Sequence, residues 1–196
     1  MTTEAAHHHD TNADAMDVFG FWIYIMTDCI LFATLFAAYA VLEGNTFSGP
    51  TLKQLISLPY VFVETLFLLF SNLTFGFAML SLYKGYKNAV ISWLILTFIL
   101  GLGFVGMEVS EFAHLAHEGH TWQSSGALSS FFTLVGTHGF HVSMGLLWIL
   151  IMIVQVSMYK ITPTIRKRLT YLGLFWNFLD IVWIFVFTIV YLMGAI

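Results

Sequence analysis

Apolar residues recur along this chain in five long runs, separated by short polar connections. The runs cover about 18–42, 60–83, 90–113, 128–158 and 169–195. Each is long enough to cross the roughly 30 Å hydrocarbon core of a bilayer as a helix, which takes about 20 residues. The fourth run exceeds that thickness, so its helix must tilt or protrude. Residues Gly44 to Pro59, with Gly49-Pro50 and Pro59, form a turn-rich connection, and Lys84 to Asn88 a tight one. The pattern predicts an all-α integral membrane bundle of five transmembrane helices. Its centre is the fourth run, where G-T-H-G-F-H-V-S-M-G, Gly136 to Gly145, sets two histidines at membrane depth. At 100° per residue, Gly136, Gly139 and Ser143 gather on one side of this helix, and His138, His141 and Gly145 on the other.

Composition agrees with this reading. The 196 residues are 59% hydrophobic and 9% charged, against about a quarter charged in soluble domains. Five spans and short loops use up that length and leave no room for a separate soluble domain. Residues 1–17 read as a disordered acidic tail, without the basic start and cleavage site of a signal peptide. His7, His8 and His9 within it are a compositional feature, not a metal site. The net charge of −4 with seven Lys and Arg gives no basic patch for nucleic acid. Cys29, the single cysteine, can form no intrachain disulfide.

The basic residues set the expected orientation. Lys84 and Lys87 follow the second span, and Lys160, Arg166, Lys167 and Arg168 follow the fourth. The other two connections hold only Lys53. Basic loops stay cytoplasmic, which predicts a cytoplasmic N-terminus and a periplasmic C-terminus.

Ionisable residues inside such spans face protein or water by default. Asp28 lies near the middle of the first span, with Tyr24 and Tyr39 near the same stripe. It reads either as a proton-handling acid or as an acid hydrogen-bonded to a neighbouring helix. Glu64 lies about one turn inside the second span, in line with Ser71; helix capping or a lipid headgroup is the favoured account, because snorkelling keeps such a group wet, and the other reading is a proton-related or buried carboxylate, as for Asp28, Glu108, Glu111 and Asp180. In the third span, Gly101 to Gly106 spells G-x-G-x-x-G without the preceding strand that a dinucleotide site requires, so these glycines read as a packing surface. Glu108, Glu111, His114, His117 and His120 recur every third residue, drifting about 60° per step, so only local pairs can cooperate. Glu111-Phe112-Ala113-His114 is one E-x-x-H, the element of carboxylate-bridged di-metal sites, which need a second copy and further glutamates. The fifth span places Trp176, Asn177, Asp180, Trp183 and Tyr191 on one broad face, read as a polar stripe towards protein in which indole N–H groups and Asn177 satisfy Asp180.

Taken together, F-G-F-W-I-Y-I-M-T-D-C-I-L-F, E-T-L-F-L-L-F-S-N-L-T-F-G, G-M-E-V-S-E-F, G-T-H-G-F-H-V and F-W-N-F-L-D-I-V-W, with V-Y-L-M-G near the end, resemble subunit III of haem–copper terminal oxidases. The motifs follow the family's order and touch all five spans. The five-helix form and the Asp-Cys pair, Asp28-Cys29, are most similar to the branch found in bo-type ubiquinol oxidases. The resemblance implies a non-catalytic subunit of a proton-pumping quinol oxidase in a bacterial inner membrane. It also implies that haems and copper reside on subunit I and none on this chain, that subunits I, II and IV are partners, and that phospholipid sits at the interface. Asp28 then matches the family's membrane-buried carboxylate, and Glu111, His138, His141, Trp176, Asp180 and Trp183 match further family positions. Asn177 stands where histidine is usual, and an amide cannot titrate.

Two other classes compete from the residues alone. One is an independent membrane di-metal enzyme using Glu64, Glu108, Glu111 and His114; the other is a proton-coupled transporter using Asp28 and Asp180. No catalytic residue and no complete metal site is expected in this chain, and His138 and His141, three residues apart on one helix, cannot be opposite axial ligands of one haem.

Overall fold

The computed structural model describes residues 2–44, 58–117, 119, 123, 125–159 and 161–192, with side chains from Met16 onward. All regular structure among them is helical: α1 (Thr2–Leu42), α2 (Leu58–Tyr83), α3 (Lys87–His117), α4 (Gly126–Met158) and α5 (Pro163–Val186), the last continuing as a π-helix over Phe187–Leu192. Five stretches are long and apolar enough to cross a membrane: Met16–Leu42, Leu58–Tyr83, Lys87–His117, Gly126–Met158 and Pro163–Leu192. Lys53, His120 and Lys160, most of the Gly44 to Pro59 connection and the last residues of the fifth run lie outside the described residues. Helical backbone extends through the polar residues ahead of Met16, where the sequence reads a tail; adding turns to an existing helix needs no new nucleus.

The chain divides at Thr34 into two compact units. The first is a single helical stretch. In the second, α2 packs on α3, α3 on α4 and α4 on α5, and α5 with its π-helix returns to α2, closing a ring of four helices.

Local chemistry sets the joints. After α2, Gly85 takes φ 78°, its N–H bonding to Leu82 O and that of Tyr86 to Ser81 O. This pair of bonds is the Schellman cap, which favours glycine at the left-handed position. Ser125 caps α4 by accepting from Leu128 N at 3.1 Å. Thr162 caps α5 through Ile165 N at 3.3 Å, with Pro163 opening the helix. The fifth helix therefore starts six residues earlier than the hydrophobic run suggests. Arg166, Lys167 and Arg168, read from the sequence as loop, lie on its first turns. Arg166 stacks over the Tyr83 ring at 5.8 Å and Arg168 donates to Gln155 Oε1 at 3.0 Å.

Candidate functional site

The ring encloses a polar seam, and its best-connected part joins α2 to α5. Trp183 Nε1 donates to Thr65 Oγ1 at 3.0 Å, Asn72 Nδ2 to Asp180 Oδ2 at 3.0 Å, and Trp176 Nε1 to Ser71 Oγ at 3.1 Å. Thr74 and Thr97 share a hydrogen bond at 2.8 Å, tying α2 to α3. These bonds match buried polar atoms across the interfaces, as low-dielectric surroundings demand.

Asp180 and Asn177 correct the sequence reading. Asp180 is satisfied by Asn72, not by Asn177 or the indoles. Asn177 is exposed, its amide donating to Gly173 O at 2.9 Å on its own helix, so it is no member of the inward stripe. Trp176, Asp180, Trp183 and Tyr191 are buried as expected. The sequence reading missed Thr65, Asn72, Thr74 and Thr97.

His138 is fully buried. Its Nε2 lies 3.2 Å from Leu179 O, and because a carbonyl only accepts, this nitrogen carries the proton and donates. Phe104 meets the imidazole edge-on at 5.8 Å, and Trp183 lies over it at 5.0 Å. His141, only half-buried, points its Nδ1 at Thr137 O, 2.8 Å away on its own helix. The two histidines thus do not converge. The glycines around them each serve a neighbour: a Cβ on Gly145 would lie 2.8 Å from Trp176 Cζ3, and one on Gly139 would meet the Glu108 carboxyl. Gly101 and Gly103 likewise abut Trp176 and Phe67, whereas Gly106 faces open space. The packing reading of the G-x-G-x-x-G run applies to its first two glycines only.

Three carboxyls gather near this histidine's helix. Glu64, Glu108 and Glu111 are within electrostatic range of one another. Glu64 has 0% exposure, which overturns its reading as a cap or snorkelling group: Leu58 and Pro59 start the helix ahead of it, and its face turns into the ring. Glu108 is also buried, and half-buried Glu111 accepts from Tyr191 Oη at 3.1 Å. The π-helix makes that last contact. In an α-helix, eight residues carry the direction about 80° past two full turns; the wider turn over Phe187–Leu192 slows this rotation and brings Tyr191 back beside Trp183, their rings 6.1 Å apart.

His114 and His117 are exposed, so the E-x-x-H does not bring an imidazole to the acids. Among the described residues, no group of three or more His, Cys, Asp or Glu side chains could hold a metal ion, and the di-metal reading finds no support. Asp28 lies on α1, in the first unit, hydrogen-bonded to Tyr24 one turn earlier on the same helix. Cys29 is exposed and forms no disulfide.

The cytochrome c oxidase subunit III family model matches residues 1–195. The chain is 56% identical over 188 residues to the cytochrome bo(3) ubiquinol oxidase subunit 3 of Pseudomonas putida, covering 96% of this chain and 90% of that protein. It is 40% identical over 199 residues to the quinol oxidase subunit 3 of Bacillus subtilis, covering 97% and 98%. It is 38% identical over 196 residues to the cytochrome c oxidase subunit 3 of Bacillus sp. strain PS3, covering 100% and 95%.

Proposed function

The chain belongs to the cytochrome c oxidase subunit III family, and from that premise we propose that it serves as the non-catalytic third subunit of a proton-pumping haem–copper quinol oxidase. The observation that carries this reading is the 56% identity to a bo(3) ubiquinol oxidase subunit 3 across nearly the whole chain. In this reading the complex oxidises quinol and reduces oxygen to water. Haems and copper belong to subunit I, with which this chain packs directly, and subunits II and IV complete the assembly. The seam supports a supporting role: Thr65, Ser71, Asn72, Trp176, Asp180 and Trp183 spend their hydrogen bonds on one another, as a scaffold does.

The same reading places the chain in a bacterial inner membrane, with the end bearing Lys84, Lys87, Arg166 and Arg168 in the cytoplasm. Asp28 is then the acid closest in role to the family's membrane carboxylate, sustaining proton uptake by subunit I, and phospholipid fills the interface with that subunit.

Expressing the oxidase without this chain tests the proposal. The remaining subunits are expected to keep their haem spectrum but to lose activity progressively over many turnovers. Undiminished activity through prolonged turnover, with normal assembly, would refute the supporting role. Purification of the native chain without any haem protein would refute the assignment to the complex.

A further inference from the structure

The seam leaves one place unsettled. Both carboxyl oxygens of Glu64, which has 0% exposure, and Oε1 of Glu108, 3% exposed, have no hydrogen-bond partner among the described residues. The two acids come from facing helices, α2 and α3, which pack directly on each other. The Glu108 carboxyl lies against Gly139 of α4, in the space that a Cβ there would fill.

The protein donors around this spot already have acceptors. The Tyr191 hydroxyl donates to Glu111, the Trp183 indole to Thr65 and the Tyr60 hydroxyl to Met107 O at 3.0 Å. The Thr65 hydroxyl donates to Val61 O at 2.8 Å and His138 Nε2 to Leu179 O. Folded proteins give nearly all buried polar atoms a partner, and where side chains do not supply one, a buried water does, typically with about three hydrogen bonds.

We propose that Glu64 and Glu108 form an internal hydration site, in which at least one water molecule held inside the helical ring bridges the two carboxyls. A water fits because it both donates and accepts, so it serves two acids whatever the protonation of each. It also links them to the Glu111–Tyr191 pair, extending a hydrogen-bonded path from the half-buried Glu111 inward to Glu64.

The test is a map of the intact oxidase complex at a resolution that shows ordered water. Density within hydrogen-bond distance of both Glu64 and Glu108, separate from any side chain, is expected. A direct Glu64–Glu108 hydrogen bond without such density, or density continuous with another side chain or a lipid headgroup, would overturn the proposal. Radiolytic hydroxyl-radical footprinting of the same complex gives a second reading, since radicals form from bound water in place. Tyr191, 1% exposed, should be oxidised in the wild-type complex and fall to the level of dry buried rings such as Phe104 in Glu64→Leu. If that variant does not assemble, wild-type labelling of Tyr191 no greater than that of Phe104 still counts against the site.

Discussion

Trp176 is wedged between two glycines, and adding one methyl group there should loosen the bundle. In Gly145→Ala the new Cβ would stand 2.8 Å from Cζ3 and 3.0 Å from Cε3 of Trp176, and 3.3 Å from Cε1 of Phe175. Carbon atoms pack best at about 3.5–4.0 Å, so the closest approach is short by about 0.7 Å. The indole cannot turn aside: its N–H is tied to Ser71, and its far edge lies 3.3 Å from where a Cβ on Gly101 would sit. Helices α4 and α5 must therefore move apart. Overpacking of this kind costs about 1–3 kcal/mol, while replacing a helical glycine with alanine returns about 1 kcal/mol. The net expectation is a loss of about 0–2 kcal/mol against the wild type, and of about 1–3 kcal/mol against an unhindered Gly→Ala control, which gains the same propensity. Gly76→Ala and Gly106→Ala are the controls, since a Cβ at either meets nothing within 4 Å; they should be neutral or mildly stabilising. Heating the detergent-solubilised complex and following release of this subunit ranks the variants. The double variant Gly145→Ala/Trp176→Leu should fall short of the sum of its single effects, as coupled neighbours do. Release of Gly145→Ala at the same temperature as Gly106→Ala would refute the wedge.

Three further outcomes follow from the seam and the loops. Asn72→Ala removes the donor to Asp180 and should destabilise by about 1–3 kcal/mol, whereas exposed Asn177→Ala should stay within about 0.5 kcal/mol; the same heating assay separates them, and the reverse order would restore Asn177 as the partner of Asp180. Ser71→Ala strands the Trp176 indole N–H and should cost about 1–3 kcal/mol, with a change in Trp176 fluorescence measurable in a variant whose other five tryptophans are replaced by phenylalanine. Reporter fusions should place Gly85 on the cytoplasmic side and Gln123 on the periplasmic side; opposite labelling would invert the proposed orientation.

Five spans in the right order, and the burial of His138, Trp176, Asp180 and Trp183, could be read from the sequence. Hydrophobic runs of membrane length allow little else, and a polar group within them must turn inward. Partner identity was another matter. Thr65, Ser71 and Asn72 are small polar residues in an otherwise apolar run, and their importance depends on how α2 is rotated against α5. Glu64 was misjudged for the same reason: its depth alone suggested a wet rim, while its azimuth points it into the ring. Asn177 shows the converse, because the broad face drawn around Trp176 and Asp180 was wider than the buried one. The start of α5 was legible, since Thr162-Pro163 is a cap followed by proline, but the basic residues behind it were taken as loop. Nothing in the sequence announced the π-helix that returns Tyr191 to Glu111.

The Glu108–Gly139 contact bears on how the family can vary. The carboxyl occupies the volume in which a side chain at position 139 would begin, so a side chain at 139 requires that the residue at 108 shorten or swing aside. A relative with a shorter residue at 108 would have room for alanine at 139, whereas one that keeps the glutamate would have to displace its carboxyl to admit it. A side chain at 139 should therefore appear across the family chiefly where the residue at 108 is small, as touching residues tend to co-vary. Part of the glycine–histidine motif on α4 would then record the size of a side chain on α3.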